Sequence, residues 1–415
     1  MRATGAEAPA AARSGPVGRH RSGFWAVAYA YLIVMAVATL PSPLYGLYRI
    51  RDHLSAFMIT IVFAIFAAGT IAALLCDRFL AARFGRRHVM LSAVAMMMIA
   101  VGLLAAWESL PGLLVGRFLI GLAVGLASGT AITYLIELRL RLEPGAPSAA
   151  RAQVIGTAVT VGGLGIGPLI AGVLAEWVSD PLVVPYLVFD GLGVIALAGL
   201  WFAPETAPPA TAPTAAPAAG ARPKARLPVP AAAGTLAAFA ANGLFAGLSG
   251  LFLATTLHQP SHALNGTALF IVFAAGVAAQ MATLRLPASR VLALGSLSML
   301  AGLALLAISV RLPTPNLVLF LIAGALIGAG SGAVFKGTSG LVLAASPPES
   351  RIAMTSALVI ALYVGLAVPV IGAGIALNAG ASPPATVLVF AIVVGAGVIL
   401  TGWALLARRP GSPRS

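Results

Sequence analysis

The residues able to do chemistry in this chain are few, and they stand in apolar surroundings. Arg117 in GRFLIGLAVGLASG, Asp190 in VPYLVFDGLG and Lys336 in GSGAVFKGTSG are ionisable groups inside long hydrophobic stretches. A charge in such a place costs several kcal/mol unless it finds a partner, so each is a candidate for handling a ligand or an ion. Arg117 suits an anionic group or would bias a nearby proton site, and Asp190 is a candidate proton carrier. Lys336 is either a cavity residue or a side chain that snorkels to the membrane surface. Asn242, Gln280, Tyr134 and Tyr363 offer hydrogen bonds to a substrate or, equally, to a neighbouring helix.

Other chemistries find no support. His258 and His262 have the i, i+4 spacing of a metal pair, but Pro260 stands between them, and solvated side chains are expected. The single cysteine, Cys76, excludes an intramolecular disulfide or a cysteine-based metal cluster. There is no phosphate-binding loop, nucleotide fingerprint, HExxH motif or nucleophile elbow. No metal, cofactor or enzymatic activity is therefore expected.

The elements that carry these residues follow from composition. Of 415 residues, 60% are hydrophobic and 9% charged. Soluble domains are about 25% charged, so this chain lacks the polar surface to cover a water-soluble fold. A bilayer core of roughly 30 Å needs about 20 apolar residues per helix. Twelve stretches qualify: 24–46, 56–76, 88–107, 111–136, 154–176, 183–202, 231–257, 266–284, 291–310, 317–343, 353–377 and 384–406. With no water to satisfy the backbone, runs of this length read as helices, giving an all-α membrane protein.

Charge placement orients them. With the N-terminus inside, the inner segments hold 20 arginines and lysines, and the outer loops hold only Arg49, Arg51 and Arg311. This asymmetry is the positive-inside pattern and places both termini in the cytoplasm. The net charge of +14 is then a consequence of topology, and no nucleic-acid partner is implied. Ala36-Val37-Ala38 has the form of a signal-peptidase site, but eleven more spans follow, and an uncleaved first helix is expected. The arginine-over-lysine bias and alanine richness point to a GC-rich bacterium and to its plasma (inner) membrane.

Residues 203–230 are rich in proline and alanine, the composition of a semi-extended linker between two groups of six spans. The expected organisation is a basic, disordered tail at 1–23, a six-helix bundle at 24–202, the linker, a second bundle at 231–406 and a tail at 407–415. An internal repeat agrees with it. A shift of 203 carries Gly121, Gly125, Ser128 and Gly129 onto Gly324, Gly328, Ser331 and Gly332, and a shift of 201 carries Pro168 onto Pro369. Duplicated six-helix halves mark transporters that work by alternating access around a midplane site.

At these positions the chain resembles the major facilitator superfamily over about residues 24–406. The loop between spans two and three is similar to the family's G-x-L-x-D-x-x-G-R-R. Leu80, Gly85, Arg86 and Arg87 match, whereas Arg78 and Ala82 stand in place of the usual Gly and Asp. The resemblance implies an inner gate, with Asp77 as a stand-in acid and Glu137 completing the charge cluster. Arg117 and Gly121 match R-x-x-x-G in span four. Gly163, Gly167, Pro168, Ala171 and Gly172 in span five resemble the G-x-x-x-G-P-x-x-G-G of drug/proton antiporters.

The resemblance implies a rocker-switch permease. Its site is expected between spans one, four, seven and ten, and its moving interface on spans two, five, eight and eleven. The expected activity is export of a small hydrophobic, amphiphilic or anionic compound in exchange for protons, by a monomer embedded in lipid. Uptake of an organic anion by symport or facilitation is the alternative, and a non-transporting sensor is a further one. Span one has no acid, so a cationic substrate would lack a counter-charge.

Overall fold

The computed structural model describes residues 17–206 and 227–407, without the side chains of Val17, Asp77, Arg78, Ala82, Pro348 and Ile352. Most of the linker and both tails, and the Asp77 side chain assigned to the gate, lie outside the described residues. Within them the secondary structure is helical, with no strand. The helices are α1 (Val17–Thr39), α2 (Tyr45–Arg51), α3 (Ala56–Phe84), α4 (Arg86–Ala106), α5 (Leu110–Leu142), α6 (Ala146–Trp177) and α7 (Val184–Phe202). After the linker follow α8 (Val229–Thr255), α9 (His262–Ala282), α10 (Ala288–Ser309), α11 (Leu317–Ala344), α12 (Arg351–Asn378) and α13 (Pro383–Leu406). They make 12 candidate membrane spans, since α1 and α2 together form the first. We call the arginine-rich end of the bundle inner and the opposite end outer.

Where the helices start and stop differs from the hydropathy reading for physical reasons. Span one is not a single helix to residue 46. Pro41 and Pro43 lack the N–H groups a continuing helix needs, so α1 ends at Thr39, a short 3-10 turn spans Ser42–Leu44, and α2 begins at Tyr45. The helix also starts earlier than expected, at Val17, so residues 17–23 belong to it. Helix α5 runs to Leu142 rather than 136, its inner extension carrying Arg139, which pairs with Glu143 one turn on. At the outer end, Ser55, Ser261, Asn316 and Ser382 cap α3, α9, α11 and α13 through their side-chain oxygens.

The neighbour pattern of the first six spans recurs in the last six. Helix α3 packs on α5 as α9 does on α11, α1 on α6 as α8 on α12, and α4 on α7 as α10 on α13. The repeated glycines are where backbones touch. A Cβ on Gly125 would strike Ala73 and the Thr70 carbonyl of α3, and a Cβ on Gly332 would strike Gly276 of α9. In lipid, helices associate through close packing of small residues, so these positions hold each bundle together.

The halves meet through α6 with α9 and through α3 with α12. The α6–α9 approaches, Gly172 with Gly266 and Gly266 with Leu169, lie toward the outer end, as does Gly374 of α12 against Phe57 and Thr60 of α3. At the inner end, Gln153 and Val154 of α6 and Ala353, Thr355 and Ser356 of α12 are exposed. The close backbone approaches between the two halves are thus at the outer end.

Candidate functional site

Near the middle of the bundle, hydroxyls from four helices gather. Tyr31 of α1 lies beside Ser128 of α5 and Thr160 of α6. Tyr363 of α12 reaches Ser128 and Tyr31 from the other half. Phe66 of α3 sets its ring edgewise to Tyr363, centroids 6.1 Å apart. Of these residues only Tyr363 is a substrate-binding candidate from sequence, Ser128 entering there as a repeat position. Tyrosine, serine and threonine inside spans are too common in this chain to stand out before the helices are packed.

Arg117 adjoins this cluster on its outer side and is fully buried. Its Nη1 donates to the Ala38 carbonyl at 2.7 Å, and its guanidinium lies 4.6 Å from the centroid of Phe66 and 5.8 Å from that of Phe63. Ala38 is in the last turn of α1, where Pro41 ends the helix and carbonyls point the negative end of the dipole at a cation. Arg117 therefore closes the break in span one. The Tyr45 hydroxyl lies against the rest of the guanidinium, and no carboxylate pairs with it among the described residues. Tyr45 and Tyr186 are the groups within electrostatic reach, and Tyr186 in turn accepts a bond from Tyr48 at 3.2 Å.

The other sequence candidates separate. Asp190 forms no ion pair with Arg117; its Oδ1 is buried on α7 without a hydrogen-bond partner among the described residues, beside the face that packs on α1 and α4. Lys336 is turned away from the midplane. Its Nζ donates to the Gln280 carbonyl at 2.7 Å and contacts Thr283 Oγ1 at 3.2 Å, closing the inner end of α9. That matches the snorkelling alternative, because the inner end of α9 leaves carbonyls free for a cation. Asn242 is buried between α8 and α11 and accepts a bond from Ser331 at 3.1 Å. Gln280 enters through its backbone carbonyl. Tyr134 is not at the midplane site either; it donates to the Pro204 carbonyl at 2.8 Å near the inner surface.

There Tyr134 belongs to a network around the loop between α3 and α4. Arg86 binds Glu137 through Nε and Nη2, the latter at 3.1 Å, so the expected pairing of loop and span-four acid is formed. Sequence reasoning missed the centre of this network, Glu205, because it sits in a segment read as linker. Its two oxygens accept from the backbone N–H groups of Arg86 and Arg87, both at 3.0 Å, and so cap α4. Gly85 makes this possible. Its φ of +84° suits glycine, and a Cβ would lie 2.6 Å from Glu205 Oε2. Thr206 donates to Glu137 at 2.5 Å and accepts from Arg141 at 2.8 Å through its carbonyl. The beginning of the linker is thus bound to the inner face of the first bundle.

The glycine-proline motif of α6 faces two ways. Gly163 and Gly167 lie against the α1 backbone at Leu32 and Ala36, while Pro168 and Gly172 lie against Gly266 and His262 of α9 in the other half. Pro168 lacks the N–H that would bond to the Leu164 carbonyl. Thr39 of α1 supplies a donor in its place, Oγ1 to Leu164 oxygen at 2.7 Å.

Residues 27–286, more than half the chain, match the family model of the Major Facilitator Superfamily. The chain belongs to the Major Facilitator Superfamily. Its fold agrees with solved members of that class. The nucleoside transporter NupG in its D323A mutant form superposes with a TM-score of 0.70 at 11% identity, covering 93% of this chain and 99% of the other. A second NupG structure gives 0.64 at 12% identity, covering 93% and 98%. No curated relative matches by sequence. This superfamily member is a multi-pass membrane transporter of small molecules and not an enzyme, and the fold it shares with NupG does not extend to a shared substrate.

Proposed function

We propose that this protein exports a small amphiphilic or anionic compound in exchange for protons by alternating access. The observation that carries the reading is Arg117. It is a fully buried cation beside the midplane hydroxyls, and no carboxylate pairs with it among the described residues. Such a group favours an anionic or hydrogen-bonding ligand over a cationic one. The proton would be carried by Asp190, whose buried Oδ1 has no hydrogen-bond partner among the described residues. The two bundles would rock about the α6–α9 and α3–α12 contacts, and the α6 motif supports the antiporter reading because Pro168 and Gly172 lie on the α6–α9 contact.

A second reading rests on the hydroxyl cluster itself. Tyr31, Ser128, Thr160 and Tyr363 are uncharged donors and acceptors, which fit a neutral polyol such as the nucleosides carried by NupG, and that reading allows uptake or facilitation. Both are tested together. A thermal-shift panel of amphiphilic carboxylates and nucleosides selects the ligand class, since a binder stabilises the folded form. Inverted membrane vesicles then give direction: accumulation of the selected compound driven by an inward-acid gradient supports export, and its absence with active downhill exchange supports facilitation.

A further inference from the structure

On the outer side, where α1 breaks into α2 and faces α8 of the other half, lies a small, partly enclosed cavity that none of the midplane hydroxyls lines. Its polar wall is Ser42, Tyr45 and Arg49, and the rest is apolar or glycine, including Ile59, Gly247 and Leu251; no carboxylate lines it. Ser42 and Tyr45 are 3% and 4% exposed; the Tyr45 hydroxyl faces Arg117, whereas the Ser42 hydroxyl and the buried Nε of Arg49 lack a hydrogen-bond partner among the described residues. Buried polar groups of native proteins are satisfied, so two orphans on one wall, one of them on a cation, call for a ligand.

Charge says what kind. Arg51, two residues on, is neutralised by Asp52 at 2.8 Å and by Glu108. Arg49 takes part in no ion pair among the described residues. On the deeper side Tyr45 contacts Arg117, so a second guanidinium stands behind the tyrosine wall of the cavity. Size narrows the choice. The free volume is about 60 Å³, a space for a handful of water-sized particles, given that one water occupies roughly 10–15 Å³ on this measure. A bulky or phosphorylated molecule does not fit.

We infer that this cavity binds one small monovalent anion, a halide or the carboxylate of a short organic acid, held by Arg49, Ser42 and Tyr45. The inference goes beyond the proposed activity and does not depend on which compound crosses the membrane or in which direction. Because the walls come from both halves, the anion binds the arrangement in which their outer ends meet and stabilises it by mass action.

The test is thermal unfolding of the purified full chain in sodium gluconate at constant ionic strength, with bromide or acetate replacing gluconate. A saturable rise in unfolding temperature with either anion supports the site. Saturation by bromide alone assigns it to free inorganic anions, and by acetate alone to carboxylates. Arg49→Gln should weaken the apparent affinity by about tenfold or more, the cost of one charge-assisted bond. Ser42→Val, which fills the cavity without touching the charge, should abolish saturation. The inference fails if neither anion saturates, or if Ser42→Val titrates like the parent chain. Should Arg49→Gln not fold, the Ser42→Val comparison and the presence or absence of bromide anomalous density at Arg49 in crystals of the parent chain decide the matter.

Discussion

Thr39 of α1 donates its hydroxyl to the Leu164 carbonyl of α6, at 2.7 Å, in the place that Pro168 leaves empty. A proline four residues beyond a carbonyl removes its helical partner, and in lipid no water substitutes. Neighbouring helix α1 thereby makes the proline tolerable and ties the two helices at the level where α6 also meets α9. Thr39→Val should destabilise the protein by about 1–3 kcal/mol, the cost of a buried unsatisfied acceptor. Thr39→Ser should restore most of it. Unfolding temperatures of the two variants check this, and equal values for valine and serine would refute it.

Arg117 is the residue on which transport is expected to depend most. Arg117→Ala should abolish transport at normal membrane levels, because the variant removes the cation over Phe66 and the cap on Ala38. Arg117→Lys should remain well below the parent, since an ammonium lacks the planar face and the fork of donors. Initial rates in vesicles matched for protein content give the answer; unimpaired transport by Arg117→Ala would remove the residue from the mechanism.

At the inner loop between α3 and α4, Gly85→Ala should be more harmful than its size suggests. The backbone there is at φ +84°, and the new Cβ would meet the Glu205 carboxylate. A strained position of this kind costs of order 1–3 kcal/mol. Glu205→Gln keeps an acceptor for the α4 N–H groups but loses the charge, so it should be milder, while Glu205→Ala should approach Gly85→Ala. Expression and unfolding temperature rank the three.

Asp190 is predicted to separate coupling from movement. Asp190→Asn should keep downhill exchange of the transported compound and lose accumulation driven by a proton gradient. A variant that still accumulates substrate against its gradient would exclude Asp190 as the proton carrier.

Gly167 lies against the carbonyl of Ala36. Gly167→Leu should force α6 off α1 and impair cycling, whereas Leu at Gly191, where nothing lies within 4 Å of a Cβ, should be neutral. Comparable transport by the two variants would reduce the α6 motif to a chance run of small residues.

Twelve spans, their duplicated packing and membership of a transporter superfamily were legible in the residues alone, because hydrophobicity, charge and glycine spacing are properties of one segment at a time. So was the Arg86–Glu137 contact, through its resemblance to a known loop. The pairings that define the site were not. Arg117 on Ala38 and Phe66, Lys336 on Gln280, Glu205 on the start of α4 and Thr39 on Leu164 each join segments distant in sequence. Which donor meets which orphan carbonyl depends on how each helix is rotated about its axis and where it breaks. A helix apolar on all sides carries no record of that rotation, so only packing one helix against the next decided it.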